Sequence, residues 1–166
     1  MRTAILISCF ILMLALTQAV PTATRMLPEY YVPGKEVTVL ISADPGAEAL
    51  AWVLEDSPPK GWQISQISAG GVWDTVNKKA KWGLFLDNKA RDFSYTILPP
   101  SEESELVGFS GLLSVNGEGY EIKGGENLES AIELILRYLL GKEGGKAIDA
   151  NGDEIVDISD VVFLTK

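Results

Sequence analysis

The sequence contains no histidine, and its only cysteine, Cys9, lies within an apolar leader. These absences exclude the Ser-His-Asp and Cys-His systems of nucleophilic catalysis, and also the usual zinc sites. A scaffold held together by disulfide bonds is excluded as well. Any metal ion that this chain binds must therefore be held by oxygen ligands.

Positive charge is also scarce, with 14 lysine and arginine residues against 23 acidic residues and a formal net charge of −9. Because the phosphate backbone of a nucleic acid repels a protein of this charge, the sequence predicts no nucleic-acid partner. Hydrophobic residues make up 46% of the chain and charged residues 22%, which is ordinary for a globular protein. The composition therefore predicts a folded chain with one apolar core.

Residues 1–19 have the pattern of a secretory signal peptide. Arg2 is their only charged residue, residues 4–16 form an apolar run, and Thr17 and Ala19 place small residues at a cleavage site. The apolar run is too short to span a bilayer comfortably. We therefore predict a secreted protein, extracellular or at the cell surface, without a membrane segment once the signal is removed.

Residues 37–123 show the period-two alternation of β-strands and no helical pattern. Turn-forming residues separate the apolar runs, and Asn116-Gly117 predicts a hairpin between the last two strands. Short strands at this spacing are typical of an antiparallel β-sandwich, which we assign to residues 20–124. The predicted strands are 36–43, 50–55, 62–69, 80–86, 92–98, 107–115 and 120–123.

The pattern changes at Gly124-Gly125, after which apolar residues recur at helical spacing. Asn127 stands at a capping position and Gly141 where a helix ends, so we predict a helix over residues 127–140 and a flexible connection over residues 142–146. Residues 125–166 thus form a separate segment, which we expect to be truncated from a longer protein. The helical stripe comprises Leu128, Ile132, Ile135 and Leu139, widened by Leu134 and Tyr138.

Residues 149–160 carry oxygen-bearing side chains at the spacing of a calcium loop, in which positions 1, 3, 5, 9 and 12 surround an ion that takes about 6–8 oxygen ligands. We predict that calcium is the cofactor; the simpler interpretation is a solvated acidic turn. Glu154 stands at position 6, where glycine normally takes a sharp turn, and position 12 carries aspartate instead of the longer glutamate. The predicted ligands are Asp149, Asn151, Asp153, the Ile155 carbonyl, Asp157 and Asp160.

Aspartate at position 12, the helix that follows it and the gap between Gly141 and Asp149 resemble a dockerin repeat more than a paired-helix EF-hand. Residues 130–141 also look like the helix that closes a first dockerin repeat, although the residues before them lack the ligand pattern. The resemblance implies a calcium-dependent interaction module that docks onto a cohesin-like protein module. By the same resemblance, Ile158 and Ser159, at loop positions 10 and 11, contribute to partner recognition.

Several segments of the β region, among them Val32-Pro33-Gly34-Lys35 and Gly70-Gly71-Val72-Trp73, resemble the Ig-like accessory modules that precede dockerins in secreted bacterial proteins. The expected fold is mainly β, with an antiparallel Ig-like β-sandwich followed by a small α-helical dockerin-like segment. This resemblance implies an architecture and no defined activity. We therefore predict a non-catalytic protein.

Four tryptophans lie within about 30 residues of one another, and planar aromatic rings can stack on sugar rings. The alternative function is therefore a glycan-binding accessory domain of a larger exported polysaccharide-acting enzyme. Core packing is the simpler interpretation, because each tryptophan lies in or beside a predicted strand. The four residues are Trp52, Trp62, Trp73 and Trp82.

The acidic pairs Glu55/Asp56 and Glu102/Glu103 could in principle supply the two carboxylates of a glycosidase. Nothing in the sequence places two of these carboxylates on opposite sides of a cleft. We therefore predict that both pairs lie in solvated loops.

Overall fold

The computed structural model describes residues 20–166, so the predicted signal peptide lies outside the described residues. Within residues 20–166 the chain forms twelve β-strands and two α-helices, and the prediction of a mainly β protein is confirmed. The strands are β1 Thr22–Met26, β2 Val37–Asp44, β3 Trp52–Ser57, β4 Gln63–Ile67, β5 Val72–Asp74, β6 Lys79–Phe85, β7 Arg91–Leu98, β8 Val107–Gly108, β9 Ser110–Val115, β10 Glu118–Glu121, β11 Lys123–Gly124 and β12 Asn127–Leu128. The helices are α1 Ala131–Leu139 and α2 Ile158–Leu164.

Two five-stranded sheets form the β-sandwich. The first has the strand order β11-β1-β2-β7-β4 and the second β10-β9-β3-β6-β5, while β8 and β12 form a separate two-stranded sheet. Strand β2 shows why the sheets pack: it buries alternate residues from Val37 to Ala43 and exposes those between them. The hairpin predicted at Asn116-Gly117 is confirmed, because Val115 of β9 pairs with Glu118 of β10 across it.

Aromatic rings from both sheets fill the space between them. The Trp82 ring of the second sheet lies 5.2 Å from the Phe93 ring of the first sheet and 6.1 Å from the Tyr95 ring, measured between ring centroids. Core packing is confirmed for Trp52, Trp62 and Trp82, which are all buried. Trp73 differs from them because it is only half-buried at the margin of the core.

A buried ion pair also joins the two sheets. Arg25 on β1 donates from Nε to Asp56 Oδ2 on β3 at 3.1 Å, and from Nη2 to Asp56 Oδ1. The Tyr95 hydroxyl donates to Asp56 Oδ2 at 2.6 Å, and Arg25 Nη1 donates to the Gly125 carbonyl at 2.9 Å. Burial raises the pKa of Asp56, whereas Arg25 and the Tyr95 hydroxyl act to lower it.

The prediction of a solvated loop at Glu55/Asp56 is therefore wrong. Both residues lie on β3, and their side chains point to opposite faces of the sheet, as successive residues of a strand do. Asp56 is fully buried with Arg25, while the half-buried Glu55 accepts hydrogen bonds from lysines on β6.

Two glycines allow the backbone to approach this ion pair. Gly111 pairs with Asp56 across β9 and β3, and a Cβ atom at Gly111 would overlap Asp56 Oδ1. Gly124 has a φ angle of +83°, and a Cβ atom there would overlap the backbone carbonyl of Arg25. Glycine is therefore required at both positions for steric reasons.

The first helix begins later than predicted. Asn127 and Leu128 form β12, which pairs with β8, and Leu128 belongs to the sandwich core. Ser130 caps α1 by accepting a hydrogen bond from the Ile132 N–H at 3.2 Å. The boundary proposed at residues 124 and 125 thus precedes residues that are still hydrogen-bonded to the β region.

The part of the chain beyond β12 contains a pair of packed helices. Helix α1 buries Ile132, Leu134 and Ile135, and α2 packs against α1. The predicted end of α1 at Gly141 is confirmed. Gly141 has a φ angle of +62°, and the N–H of the next residue, Lys142, donates a hydrogen bond to a backbone carbonyl of α1. Leu139 is partly exposed, so the apolar stripe is narrower than predicted.

The connection at residues 142–146, which the sequence predicts to be flexible, lies along α1. The Lys146 N–H donates to the Leu134 carbonyl at 3.0 Å, and Gly145 lies directly against the backbone of Tyr138. The Lys146 ammonium also forms an ion pair with Glu29, which attaches the connection to the β region. Within residues 20–166, neither helix is long and apolar enough to cross a membrane.

The ion pair between Arg25 and Asp56 yields a stability prediction. Asp56→Asn should lower the free energy of unfolding by about 3–5 kcal/mol, because it leaves the buried Arg25 charge without a counterion. The double variant Arg25→Met/Asp56→Asn should be more stable than Asp56→Asn alone, since no buried charge remains. Urea unfolding of the double variant and of both single variants, Asp56→Asn and Arg25→Met, measures these free energies. A cost of the double variant equal to the sum of the two single-variant costs would contradict this account.

Candidate functional site

The predicted calcium loop, residues 149–160, is folded by hydrogen bonds from its own backbone to its side chains. Asp149 accepts from the N–H groups of Gly152 and Glu154, at 2.7 and 2.9 Å. Asn151 accepts from the Asp153 N–H at 3.0 Å, and Asp153 accepts from the Ile155 N–H at 2.9 Å. The turns at Asn151 and Asp153 form because these short side chains reach the N–H group two residues further along the chain, and Asp149 curls the loop by reaching three and five residues further.

Glu154 has a left-handed backbone conformation, with a φ angle of +67°. Position 6 thus takes the sharp turn that glycine normally takes in calcium loops. A residue with a Cβ atom is strained in this region of φ, by about 1–2 kcal/mol. The loop therefore forms this turn although position 6 carries glutamate instead of glycine.

Asp160 closes the loop. It is fully buried, and its carboxylate accepts from the N–H groups of Ala150 at 2.7 Å, Asn151 at 3.2 Å and Asp157 at 2.9 Å. Hydrogen bonds from these N–H groups lower the pKa of Asp160, and the one from Asp157 has the largest effect. Asp157 in turn caps α2 by accepting from the Ser159 N–H at 2.7 Å. The last two predicted ligands therefore also form the capping box of α2.

The residue types and the backbone course fit a calcium loop, but the carboxylates are directed to backbone N–H groups. Within residues 20–166, no three Asp, Glu, His or Cys side chains form a group that could hold a metal ion. Asn151 Nδ2 donates to Asp153 Oδ2 at 3.0 Å and to Ser159 Oγ at 2.8 Å. Of the two predicted recognition residues, Ile158 is exposed, whereas the Ser159 hydroxyl accepts a hydrogen bond inside the loop.

A second candidate site lies on the β-sandwich, far along the chain from the loop. It is an open groove of about 780 Å³, which we call the Trp73 groove. Trp73 lies on β5, an edge strand, and the buried Trp62 lies beside it. The groove is lined by Ser57, Pro58, Pro59, Lys60, Gly61, Trp62, Gln63, Ile64, Trp73, Asn77 and Lys78.

Ion pairs hold the strands beside the Trp73 groove. Glu55 accepts from Lys79 Nζ at 2.9 Å and from Lys81 Nζ at 3.0 Å, and Asp74 accepts from Lys81 Nζ at 2.8 Å. Hydrogen bonds from these two lysines lower the pKa of Glu55, and the one from Lys79 has the larger effect. The pKa of Asp74 is also lowered, chiefly by hydrogen bonds from Asn77.

The sequence pattern does not distinguish Trp73 from the other three tryptophans. The strand that carries it, β5, has three residues and was not predicted. An available signal was the run of exposed, turn-forming residues that follows Asp74, which places Trp73 near the end of a hairpin.

No protein-family model matches the chain, and no curated protein matches it. Among solved structures, it is similar to the solution structure of the chitin-binding domain of a hyperthermophilic chitinase from Pyrococcus furiosus. The two chains share 12% sequence identity with a TM-score of 0.42, over 61% of this chain and 93% of that domain.

The left-handed Glu154 yields a prediction for the loop. Glu154→Gly should stabilise the folded loop and tighten the predicted calcium binding by about fivefold to tenfold, because glycine adopts this φ angle without strain. The matched control is Ala150→Gly in the same loop, where φ is not positive and glycine only adds unfolded-state entropy. Calorimetric calcium titration measures both variants, and equal effects would show that Glu154 is unstrained.

Proposed function

We propose that residues 125–166 form a calcium-dependent interaction module of the dockerin type, carried by a non-catalytic β-sandwich of an exported protein. The supporting observation is the curled course of residues 149–160, with a left-handed residue at position 6 and a closing carboxylate at position 12. Asp149, Asn151, Asp153, Asp157, Asp160 and the Ile155 carbonyl would hold the calcium ion. The ion would neutralise the mutual repulsion of four aspartates in one short loop.

The proposed partner surface lies on the same segment. Helix α2 exposes Ile158, Val162 and Phe163 to solvent by about half of each residue's surface. Exposed apolar residues on one short helix are typical of a protein-protein contact. Because Asp157 and Asp160 cap this helix, an ion that they bound would stabilise the surface that meets a cohesin-like partner.

Calcium titration of the chain from residue 20 to residue 166 tests the module. We expect saturable calcium binding that Asp160→Asn abolishes, because Asp160 joins both ends of the loop. The matched control is Asp92→Asn, which removes one exposed carboxylate from β7 and should leave calcium binding unchanged. An absence of calcium binding by the unaltered chain would refute the proposal.

Partner recognition is measured on the same chain by calcium-dependent capture of a cohesin module. Ile158→Asp should abolish capture while leaving calcium binding intact, because Ile158 is exposed at the start of α2. Capture that persists in the presence of a chelator would argue against calcium dependence.

We also propose a second candidate function for the β-sandwich, as a carbohydrate-binding accessory domain. The observation that favours it is the half-buried Trp73 in an open groove with polar side chains, since an exposed indole face can stack on a sugar ring. Trp73→Ala should reduce retention of the protein on insoluble polysaccharide by about tenfold. Val72→Ala, on the same strand but with an exposed side chain, is the matched control, and equal retention of both variants would refute this function.

A further inference from the structure

The Trp73 groove has the opposite charge to the rest of the protein. The chain as a whole has a formal net charge of −9. The lining that residues 20–166 provide to this groove nevertheless contains two lysines, Lys60 and Lys78, and no aspartate or glutamate. Both lysines are exposed to solvent, so their ammonium groups are accessible to a ligand.

The acidic residues nearest to the groove in sequence are already neutralised. Asp56 is paired with Arg25, while Glu55 and Asp74 share the charges of Lys79 and Lys81. By contrast, neither Lys60 nor Lys78 forms an ion pair with any residue in the range 20–166. The groove therefore carries positive charge that the protein itself does not compensate.

We propose that the Trp73 groove binds an anionic polysaccharide whose sugars carry carboxylate groups. This inference rests on the second proposed function and names its ligand class. The indole ring of Trp73 supplies a flat apolar face for one pyranose ring, while Lys60 and Lys78 attract the carboxylates. The amides of Gln63 and Asn77 offer hydrogen bonds to sugar hydroxyls.

The shape of the groove agrees with a polymer. It is open to solvent, so a sugar chain that occupies it need not end inside it. Its lining comes from two parts of the chain, the 57–64 segment and the β5–β6 hairpin. Lys60 and Lys78 belong to different parts, so we expect each lysine to meet a separate carboxylate of an extended chain.

The experiment compares an oligogalacturonate with its full methyl ester, which keeps the sugar rings and removes the charge. The chain from residue 20 to residue 166 is titrated by calorimetry with calcium omitted, so that the acid cannot bind through the ion. We expect the acid form to bind about tenfold more tightly at low salt and to lose this advantage as the salt concentration rises. Equal affinity for the acid and the ester would overturn the proposal.

Single substitutions identify the residues of the groove that bind the ligand. Lys60→Gln and Lys78→Gln should each weaken binding of the acid about twofold to fivefold without changing binding of the ester. Lys89→Gln, which removes an exposed lysine without an ion-pair partner elsewhere in residues 20–166, should change neither affinity. Trp73→Ala should weaken both ligands, and thermal unfolding of this variant shows whether its fold is retained.

The outcomes separate this inference from the function on which it rests. Binding of the ester or of chito-oligosaccharides, but not of the acid, would overturn the anionic specificity and leave carbohydrate binding in place. An absence of binding to every sugar would refute both. Dextran sulfate is the remaining probe, and tighter binding of the sulfated chain than of oligogalacturonate would assign the groove to sulfate instead of carboxylate.

Discussion

The buried ion pair between Arg25 and Asp56 is the interaction on which the arrangement of the rest of the chain depends. Both side chains are removed from water, a cost of several kcal/mol for each charge, and that cost is offset only when every donor and acceptor has a partner. Asp56 therefore needs the Tyr95 hydroxyl, and Arg25 needs the Gly125 carbonyl. The partners come from both sheets and from the segment after β11, so the pair fixes three parts of the chain relative to one another.

The same pair determines where the C-terminal segment starts. Gly125 returns a backbone hydrogen bond to the Arg25 carbonyl at 2.9 Å, and this contact leads the chain into β12. From there, Tyr31 forms backbone hydrogen bonds with residues 129 and 131 and so positions the N-terminus of α1. Gly124 and Gly125, where the sequence pattern predicts a domain boundary, are hydrogen-bonded to β1 in the folded protein.

Much of the fold could be predicted from the sequence because its signals are local. The alternation of β2 and the turn at Asn116-Gly117 depend only on neighbouring residues, and both are present in the structure. Strand β1 was not predicted, because a buried arginine breaks the apolar alternation and only a partner 31 residues away explains it. The helix start was misplaced because Leu128 lies in phase with the helical stripe, although it is buried in the sandwich core. The Trp73 groove could not be predicted from the sequence either, because the two parts of the chain that line it are brought together only by tertiary structure.

The predicted calcium loop and the Trp73 groove depend on folding in different ways. Helix α2 has seven residues, too few to be stable alone, so it requires both the capping carboxylates of the loop and the packing of α1. Any ion that binds those carboxylates is therefore coupled to the formation of the helical pair. The groove instead lies on strands held by a large aromatic core and by ion pairs of β3, β5 and β6, and it shares no residue with the loop. A ligand of the groove can thus bind a surface that is formed in advance, whereas a ligand of the loop contributes to forming its own site.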